Sequence, residues 1–126
     1  MKIIGIGIDL VETERIKVSI EKFGDRFLTR LFCDAELAYC REMKNLHLHL
    51  AARFAAKEAV SKAFGTGIGA ELGWRDIEIL KKETGAPYIT FHGKGLALAQ
   101  TRGVLETHVS LTHAKNYSVA QVLLVG

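Results

Sequence analysis

The segment RFAAKEAVSKAFGTGIG, residues 53–69, combines alanines, one carboxylate, several cations and a run of glycines. Residues four apart lie on one side of a helix, so Glu58 pairs with Lys62 and Arg53 with Lys57. Glu58 and Lys62 could form a simple surface ion pair, worth about 0.2–0.5 kcal/mol. The many small neighbours instead favour an enclosed helix whose charges lie at the edge of a cleft, because a buried lone charge requires a partner or a ligand.

A second carboxylate, Asp9, ends the apolar stretch GIGID, residues 5–9. A strand-end aspartate and a helical Glu58 could together offer two oxygen ligands, and magnesium commonly binds one or two carboxylates together with waters and substrate phosphates. Lys62, one turn beyond Glu58, could then contact a phosphate oxygen. The spacing leaves open whether Asp9 and Glu58 converge, because acidic residues at strand ends are often loop caps.

The glycine run GTGIG, residues 65–69, does not match the common nucleotide-binding loops. Those loops follow a strand and open a helix, whereas this run closes a helix. Gly65 is typical of a helix C-cap. Gly67 and Gly69 exceed what a cap requires, and a close approach of the backbone to a ligand is the alternative interpretation.

Polar residues near the C-terminus are weaker candidates for a functional site. His108, Ser110 and Thr112 would share one face of a strand, with His113 on the opposite face. They could be ordinary strand polar groups or part of a site. The spacing of acidic residues fits no hydrolase triad, and no GxSxG motif is present.

Periodicity and turn residues predict an α+β protein in which one long central helix packs on antiparallel strands. In the first strand, alternation places Gly5, Gly7 and Asp9 on the face opposite Ile4, Ile6 and Ile8, and the glycines leave room near the carboxylate. The predicted elements are a strand at 2–11, a helix at 11–24, two short helices within 25–43, a long helix at 47–64, strands at 74–82 and 88–92 around a turn at 84–87, a helix at 94–103, and a hairpin of 106–114 with 116–125.

Four residues are expected to bound these helices. Thr13 is the predicted N-terminal cap of the helix at 11–24. Asp34 is the predicted cap of the second short helix within 25–43. Gly24 and Gly65 are predicted stops, because glycine readily adopts the left-handed conformation found after a helix.

The composition limits the classes of function. A chain of 126 residues with 48% hydrophobic and 25% charged residues fits one globular domain, 1–126. Its net charge of +3 is too mild and scattered to indicate nucleic-acid binding. Neither a signal peptide nor a membrane span is expected. Cys33 and Cys40 fit no metal spacing and are expected to be reduced thiols of a cytoplasmic protein.

Four segments together resemble the holo-[acyl-carrier-protein] synthase family, the short bacterial type of 4′-phosphopantetheinyl transferase. They are GIGIDLVE at 5–12, RFAAKEAVSKAFGTGIG at 53–69, the WxDIEI…GxPYI pattern at 74–89, and HVSLTHAKNYSVAQV at 108–122. The resemblance runs from end to end. The HLHL segment at 47–50 is a departure that touches no predicted catalytic position.

The resemblance implies an activity. Such enzymes transfer the phosphopantetheine arm of coenzyme A to a serine of an acyl carrier protein, require magnesium, release adenosine 3′,5′-bisphosphate, and typically form homotrimers with sites between subunits. It also implies residue roles: metal ligands at Asp9 and Glu58; catalytic roles for Glu58 and Lys62; and coenzyme contacts at Arg53, Lys62, Gly65, Thr66, Gly67 and His108.

The first helices carry basic residues that have two interpretations. Arg15, Lys17 and Arg26 could belong to an ordinary solvated face or to a docking surface for an acidic partner. The resemblance favours Arg15, Arg26 and Phe27 as contacts for the carrier protein.

Two other functions remain possible at the level of sequence. A binding module could hold a nucleotide or coenzyme A without chemistry, and it would not need the paired Asp9 and Glu58. A structural trimer would use the long helix only as core, and it would show no dependence on magnesium.

Overall fold

The structure is a computed structural model that describes the whole chain, Met1–Gly126. A short 3₁₀ turn, Trp74–Asp76, precedes the second strand. The elements in chain order are β1 (Ile3–Glu12), α1 (Thr13–Phe23), α2 (Asp25–Leu31), α3 (Asp34–Arg41), α4 (Leu46–Phe64), β2 (Ile77–Lys81), β3 (Pro87–Phe91), α5 (Gly93–Thr101), β4 (Glu106–His113) and β5 (Tyr117–Val125).

The strands form two antiparallel sheets. One has the order β1-β5-β4, and the other is the β2–β3 hairpin. Helix α4 packs on β1 and β5, whose helix-facing side carries the buried Ala120, Val122 and Leu124. The predicted α+β class with a long central helix is therefore confirmed. No helix is both long enough and apolar enough to cross a bilayer.

Two glycines allow β1 to lie directly against the backbone of α4. A Cβ atom built at Gly5 would collide with the carbonyl of Ala63, and one built at Gly7 with the carbonyl of Ala59. The space that these glycines leave is therefore filled by the helix and is not free room beside the carboxylate of Asp9. Any larger side chain would push the strand away from the helix.

The opposite face of β1 is apolar and exposed. Ile6 and Ile8 are on this face as predicted, at 60% and 59% exposure. Ile4 is not, because the register with β5 shifts between Ile3 and Gly5, which turns Ile4 toward the core. Ile3 takes the outward position instead and is 65% exposed.

Both glycine stops are confirmed, since Gly24 and Gly65 follow α1 and α4 with positive φ of 56° and 77°. Both predicted caps are wrong. The Thr13 hydroxyl lies within α1 and donates to the carbonyl of Lys115 at 3.3 Å. Cys33 precedes α3 in the cap position, and its N–H donates to the carboxylate of Glu36 at 2.8 Å.

Candidate active site

Asp9 and α4 meet on the helix-facing side of the central sheet. Asp9 lies opposite Ala120 of β5, two residues after the glycine that contacts the backbone of α4. Lys62 of α4 donates from Nζ to Asp9 Oδ1 at 2.9 Å and to the carbonyl of Ile8 at 3.0 Å. Lys62 thus makes its ion pair across the strand–helix contact rather than with Glu58, so the simple helical ion pair is not the one that forms.

Glu58 lies one turn before Lys62 and is partly buried. Burial raises the pKa of its carboxyl group, the negative charge of Asp9 raises it further, and the Lys62 ammonium opposes both effects. Two carboxylates are therefore close enough to repel each other beside a single cationic side chain. Such a pair is suited to hold a divalent cation, because oxygen ligands are those that magnesium prefers.

The glycine turn, residues 65–69, directly follows these groups. Gly65 and Gly67 have φ of 77° and 69°, and a Cβ at either position would meet nothing within 4 Å. The N–H groups of Thr66 and Gly67 both donate to the carbonyl of Ser61, at 3.2 and 3.3 Å. Gly65, Gly67 and Gly69 are exposed, whereas Ile68 packs against the core, so the turn begins within one helical turn of Lys62 with open backbone that a phosphate group could approach.

The other two charges of α4, Arg53 and Lys57, are buried, and for Lys57 the expectation of a position at a cleft edge is wrong. Lys57 is fully buried, and its Nζ donates to Glu36 Oε1 at 2.7 Å and to the carbonyls of Trp74 and Ile77 at 3.0 and 2.6 Å. The other oxygen of Glu36 accepts from the N–H of Ile79 at 3.0 Å. This network joins α3, α4 and β2. The sequence contained a sign of this network. Glu36 stands three residues after the cap of α3, where a glutamate side chain commonly reaches back to the backbone N–H of the cap residue.

Arg53 is only 1% exposed. Its Nε donates to the carbonyl of Ile79 at 3.1 Å, one terminal nitrogen donates to the carbonyl of His49 at 3.3 Å, and its guanidinium lies 4.6 Å from the centre of the Tyr39 ring. The second terminal nitrogen, Nη2, is buried without a hydrogen-bond partner. A buried guanidinium with a free donor is suited to an anion, because leaving that donor unpaired costs free energy.

Arg53 also borders a basic cavity of about 300 Å³. The pKa of His49 in its wall is lowered by burial and by the nearby charges of Arg53, Lys81 and His113. Sequence reasoning assigned no role to His49, Lys81 or His113, and only the fold brings these three distant segments together. The cavity is lined by Asn45, Leu48, His49, Ala52, Arg53, Lys81, Gly85, Pro87, Leu111 and His113.

His108 lies apart from the carboxylates. It is on the outer face of β4, where its Nε2 is 3.2 Å from Glu106 Oε1, and it borders a shallow depression with Ile6 and Leu123. Asp9 faces α4 on the other side of the same sheet. A single chain therefore does not bring His108, Arg53 and the Asp9–Glu58 pair into one cleft.

The three predicted partner-binding residues lie along one surface of α1 and α2. Arg26 and Phe27 border a groove of about 440 Å³ with Phe23, Arg30 and Trp74. Phe27 also lines a smaller cavity shared with Arg15. The surface is therefore continuous from Arg15 to Arg26 and combines cationic with aromatic side chains.

Comparison with known proteins identifies the family. Residues 5–122 match the family model of the 4′-phosphopantetheinyl transferase superfamily. The chain is 47% identical over 122 residues to the holo-[acyl-carrier-protein] synthase of Koribacter versatilis, covering 97% of this chain and 98% of that protein. It is 43% identical to the synthase of Natranaerobius thermophilus over 122 residues, covering 97% of both chains.

Solved structures agree with this assignment. The holo-[acyl-carrier-protein] synthase of Neisseria meningitidis superposes with a TM-score of 0.93 at 31% identity, covering 99% of this chain and 100% of that one. The Helicobacter pylori enzyme, solved with coenzyme A, superposes with a TM-score of 0.86 at 32% identity, covering 95% and 99% of the two chains. The chain therefore belongs to the 4′-phosphopantetheinyl transferase superfamily and is an enzyme of its holo-[acyl-carrier-protein] synthase family.

Proposed function

We propose that this enzyme transfers the 4′-phosphopantetheine arm of coenzyme A to a serine of apo acyl carrier protein, depends on magnesium, and releases adenosine 3′,5′-bisphosphate. The observation that carries the proposal is the meeting of Asp9, Glu58 and Lys62 beside the glycine turn. The coenzyme A bound to the H. pylori synthase, and the coenzyme A (3′,5′-ADP) bound to the Bacillus anthracis synthase, support the choice of substrate.

Asp9 and Glu58 are the proposed magnesium ligands. Burial and, after it, the negative charge of Asp9 raise the pKa of Glu58, and the donor set consists of the oxygens that magnesium prefers. When bound, the ion would neutralise negative charge on the pyrophosphate of coenzyme A. Two further carboxylates, Glu12 and Glu14, lie near the end of β1 but belong to an exposed stretch that does not face α4.

The chemistry that the chain itself supplies is positioning and charge. The serine oxygen forms a bond to the phosphorus that carries the pantetheine arm, and the bond from that phosphorus to the bridging oxygen of the nucleotide phosphate breaks. Lys62 is half exposed and would contact the phosphate oxygens on which negative charge accumulates. Glu58, which makes no ion pair with Lys62, is our first candidate to accept the serine proton.

The basic cavity around Arg53 is proposed to hold the nucleotide end of the coenzyme. This end carries phosphate, and the unpaired Nη2 of Arg53 together with Lys81 offers cationic donors. Gly65, Thr66 and Gly67 would contact the pyrophosphate, since their turn is exposed and free of side-chain bulk. His108 is the remaining proposed coenzyme contact.

The separation of these groups in one chain supports a homotrimer with sites between subunits. One copy would supply Asp9, Glu58, Lys62 and the glycine turn. The neighbouring copy would supply Arg53 and His108. The outer face of β1 supports the same assembly, because a row of exposed apolar side chains on a sheet is typical of an interface. The exposed residues of that row are Ile3, Ile6, Ile8 and Leu10.

The surface from Arg15 to Arg26 is the proposed docking site for the carrier protein. Its cations would attract an acidic partner, and Phe27 would supply apolar contact area.

We further propose that the enzyme acts in the cytoplasm. Cys33 and Cys40 are free thiols, and cysteines without disulfides are usual in a reducing compartment.

The deciding experiment follows the mass of an apo carrier protein incubated with coenzyme A, magnesium and enzyme. We expect a gain of one phosphopantetheine group, which chelation of the metal abolishes. The Asp9→Ala variant should lose transfer while still binding coenzyme A, as measured by calorimetry. A binding module without chemistry would give no mass gain with any carrier tried, and a structural trimer would bind no coenzyme A.

A further inference from the structure

Lys94 of α5 and Arg102, which follows α5, hold the two ends of the loop that contains the glycine turn. Arg102, just after α5, donates from its guanidinium to the carbonyl of Phe64 at 3.1 Å. Lys94, in the first turn of α5, donates from Nζ to the carbonyl of Ala70 at 3.2 Å. We propose that Arg102, assisted by Lys94, is a positioning residue that fixes this loop for coenzyme A; the inference rests on the proposed function.

The loop's backbone hydrogen bonds secure mainly its first half, and the packing of Ile68 and the buried Leu72 on the core anchors its second half. The exposed backbone between these anchors is what Arg102 and Lys94 support from outside. The N–H groups of Gly65, Thr66 and Gly67 donate back to α4, at 3.0–3.3 Å. Beyond them, Gly69 donates to the carbonyl of Leu72 at 2.9 Å, and it is the one backbone N–H among residues 68–72 with a protein backbone acceptor. Glycine-rich backbone loses more conformational entropy than other backbone when it is ordered, so each fixed end lowers the cost of ordering the loop around a ligand.

The position of Arg102 is also favourable for charge. The carbonyl groups at the end of α4 are the negative end of the helix dipole, and that end would repel a phosphate held by the following turn. The carbonyl of Phe64 is one of the last four of α4, which lack a partner within the helix. Arg102 satisfies that oxygen and places a positive charge beside it.

Neither side chain belongs to the core. Arg102 and Lys94 are exposed, and the proposed catalytic groups are on α4 and β1. Their removal should therefore leave the stability of the chain nearly unchanged and alter the loop alone. Gln100 is a matched control, because it is an exposed polar residue in the last turn of α5, two positions before Arg102.

The test compares Arg102→Ala, Arg102→Lys, Lys94→Ala and Gln100→Ala in calorimetric binding of coenzyme A and in transfer kinetics. Without Arg102, part of the entropy of ordering the loop must be lost when coenzyme A binds, and this lowers affinity. We therefore expect Arg102→Ala to raise the Kd and KM for coenzyme A about tenfold while kcat changes less than twofold. Arg102→Lys should recover most of the affinity, Lys94→Ala should show a smaller loss, and Gln100→Ala should match the wild type.

The melting temperature separates positioning from a merely structural role. Arg102→Ala should melt within about 2 °C of Gln100→Ala, because substitutions of exposed residues usually change stability little. Unchanged Kd and KM in Arg102→Ala, or a loss that arises only through a lower melting temperature, would overturn the inference. If the wild-type protein binds coenzyme A but transfers nothing, the proposed function is refuted. The role of Arg102 is then still decided by the comparison of Kd values. Wild-type protein that binds no coenzyme A would overturn both.

Discussion

Lys62 on α4 bridges to Asp9 on β1 through a 2.9 Å hydrogen bond, and this contact joins the opening strand to the central helix one turn after Glu58. The two residues are 53 positions apart in the chain. Their meeting depends on Gly5 and Gly7, which let the strand touch the helix backbone. The geometry of the active site is thus a consequence of how closely a strand can pack on a helix.

Replacing Gly7 with alanine should therefore disrupt both stability and activity. The new Cβ would collide with the backbone carbonyl of Ala59, which cannot rotate away as a side chain could. We expect a loss of about 3 kcal/mol in the free energy of unfolding, measured by urea denaturation, together with a fall in transfer rate. Gly69→Ala is the control for stability, since its Cβ would meet nothing within 4 Å. Equal stability of the two variants would contradict this account.

The buried pair of Lys57 and Glu36 should be essential for folding. Both side chains are fully buried and hydrogen-bonded, so removing one leaves an uncompensated charge in the core. Lys57→Met should lower the free energy of unfolding by about 3–5 kcal/mol.

The matched control is an exposed ion pair of the same chain. Arg75 is 3.3 Å from Asp34, with 49% and 95% of these side chains exposed. Arg75→Ala should cost less than about 0.5 kcal/mol in the same urea titration. A Lys57→Met protein as stable as Arg75→Ala would show that the buried network does not stabilise the fold.

Reversal of charge at Arg15 should weaken carrier binding specifically. Arg15 is exposed on α1 and lies on the side of the helix that continues toward Phe27. We expect Arg15→Glu to raise the Kd for apo carrier protein about tenfold, with less than a twofold change for coenzyme A, in parallel calorimetric titrations. Lys82→Glu on the distant hairpin should leave carrier binding unchanged. Equal losses for carrier and coenzyme would reject the docking role of Arg15.

A charge on the outer face of β1 should break the proposed trimer. Ile8 is 59% exposed in the single chain, and an aspartate there would have to be buried in an interface. Ile8→Asp should sediment as a monomer in analytical ultracentrifugation and should lose transfer activity, because the site would need residues of two copies. Leu96→Asp, at another exposed apolar position of 45% exposure, should remain trimeric. If the Ile8→Asp protein remained trimeric and active, the outer face of β1 would not be the trimer interface.

Much of the secondary structure could be predicted from local patterns. The long helix and its stop at Gly65 were predictable because a run of helix formers ends in a residue that adopts positive φ, and the structure confirms both. The segment 74–82 was only partly predictable. Its first three residues form a 3₁₀ turn, and strand pairing begins at Ile77, opposite Phe91. Alternation alone does not reveal where a partner strand ends.

Residue types and their spacing were enough to predict which chemical groups are available: a carboxylate near the end of a glycine-containing strand, a Glu–Lys pair one helical turn apart, and a glycine turn after the helix. These follow from residue type and from the geometry of single elements. Which of the charges on α4 are buried and which stay accessible depended on the packing of the whole chain. Lys57 and Arg53 share α4 with Glu58 and Lys62, yet they are turned into the core, toward Glu36 and the carbonyl of Ile79. The reason is physical: burial and partner geometry depend on the elements packed around a helix, and those contacts join residues far apart in the chain.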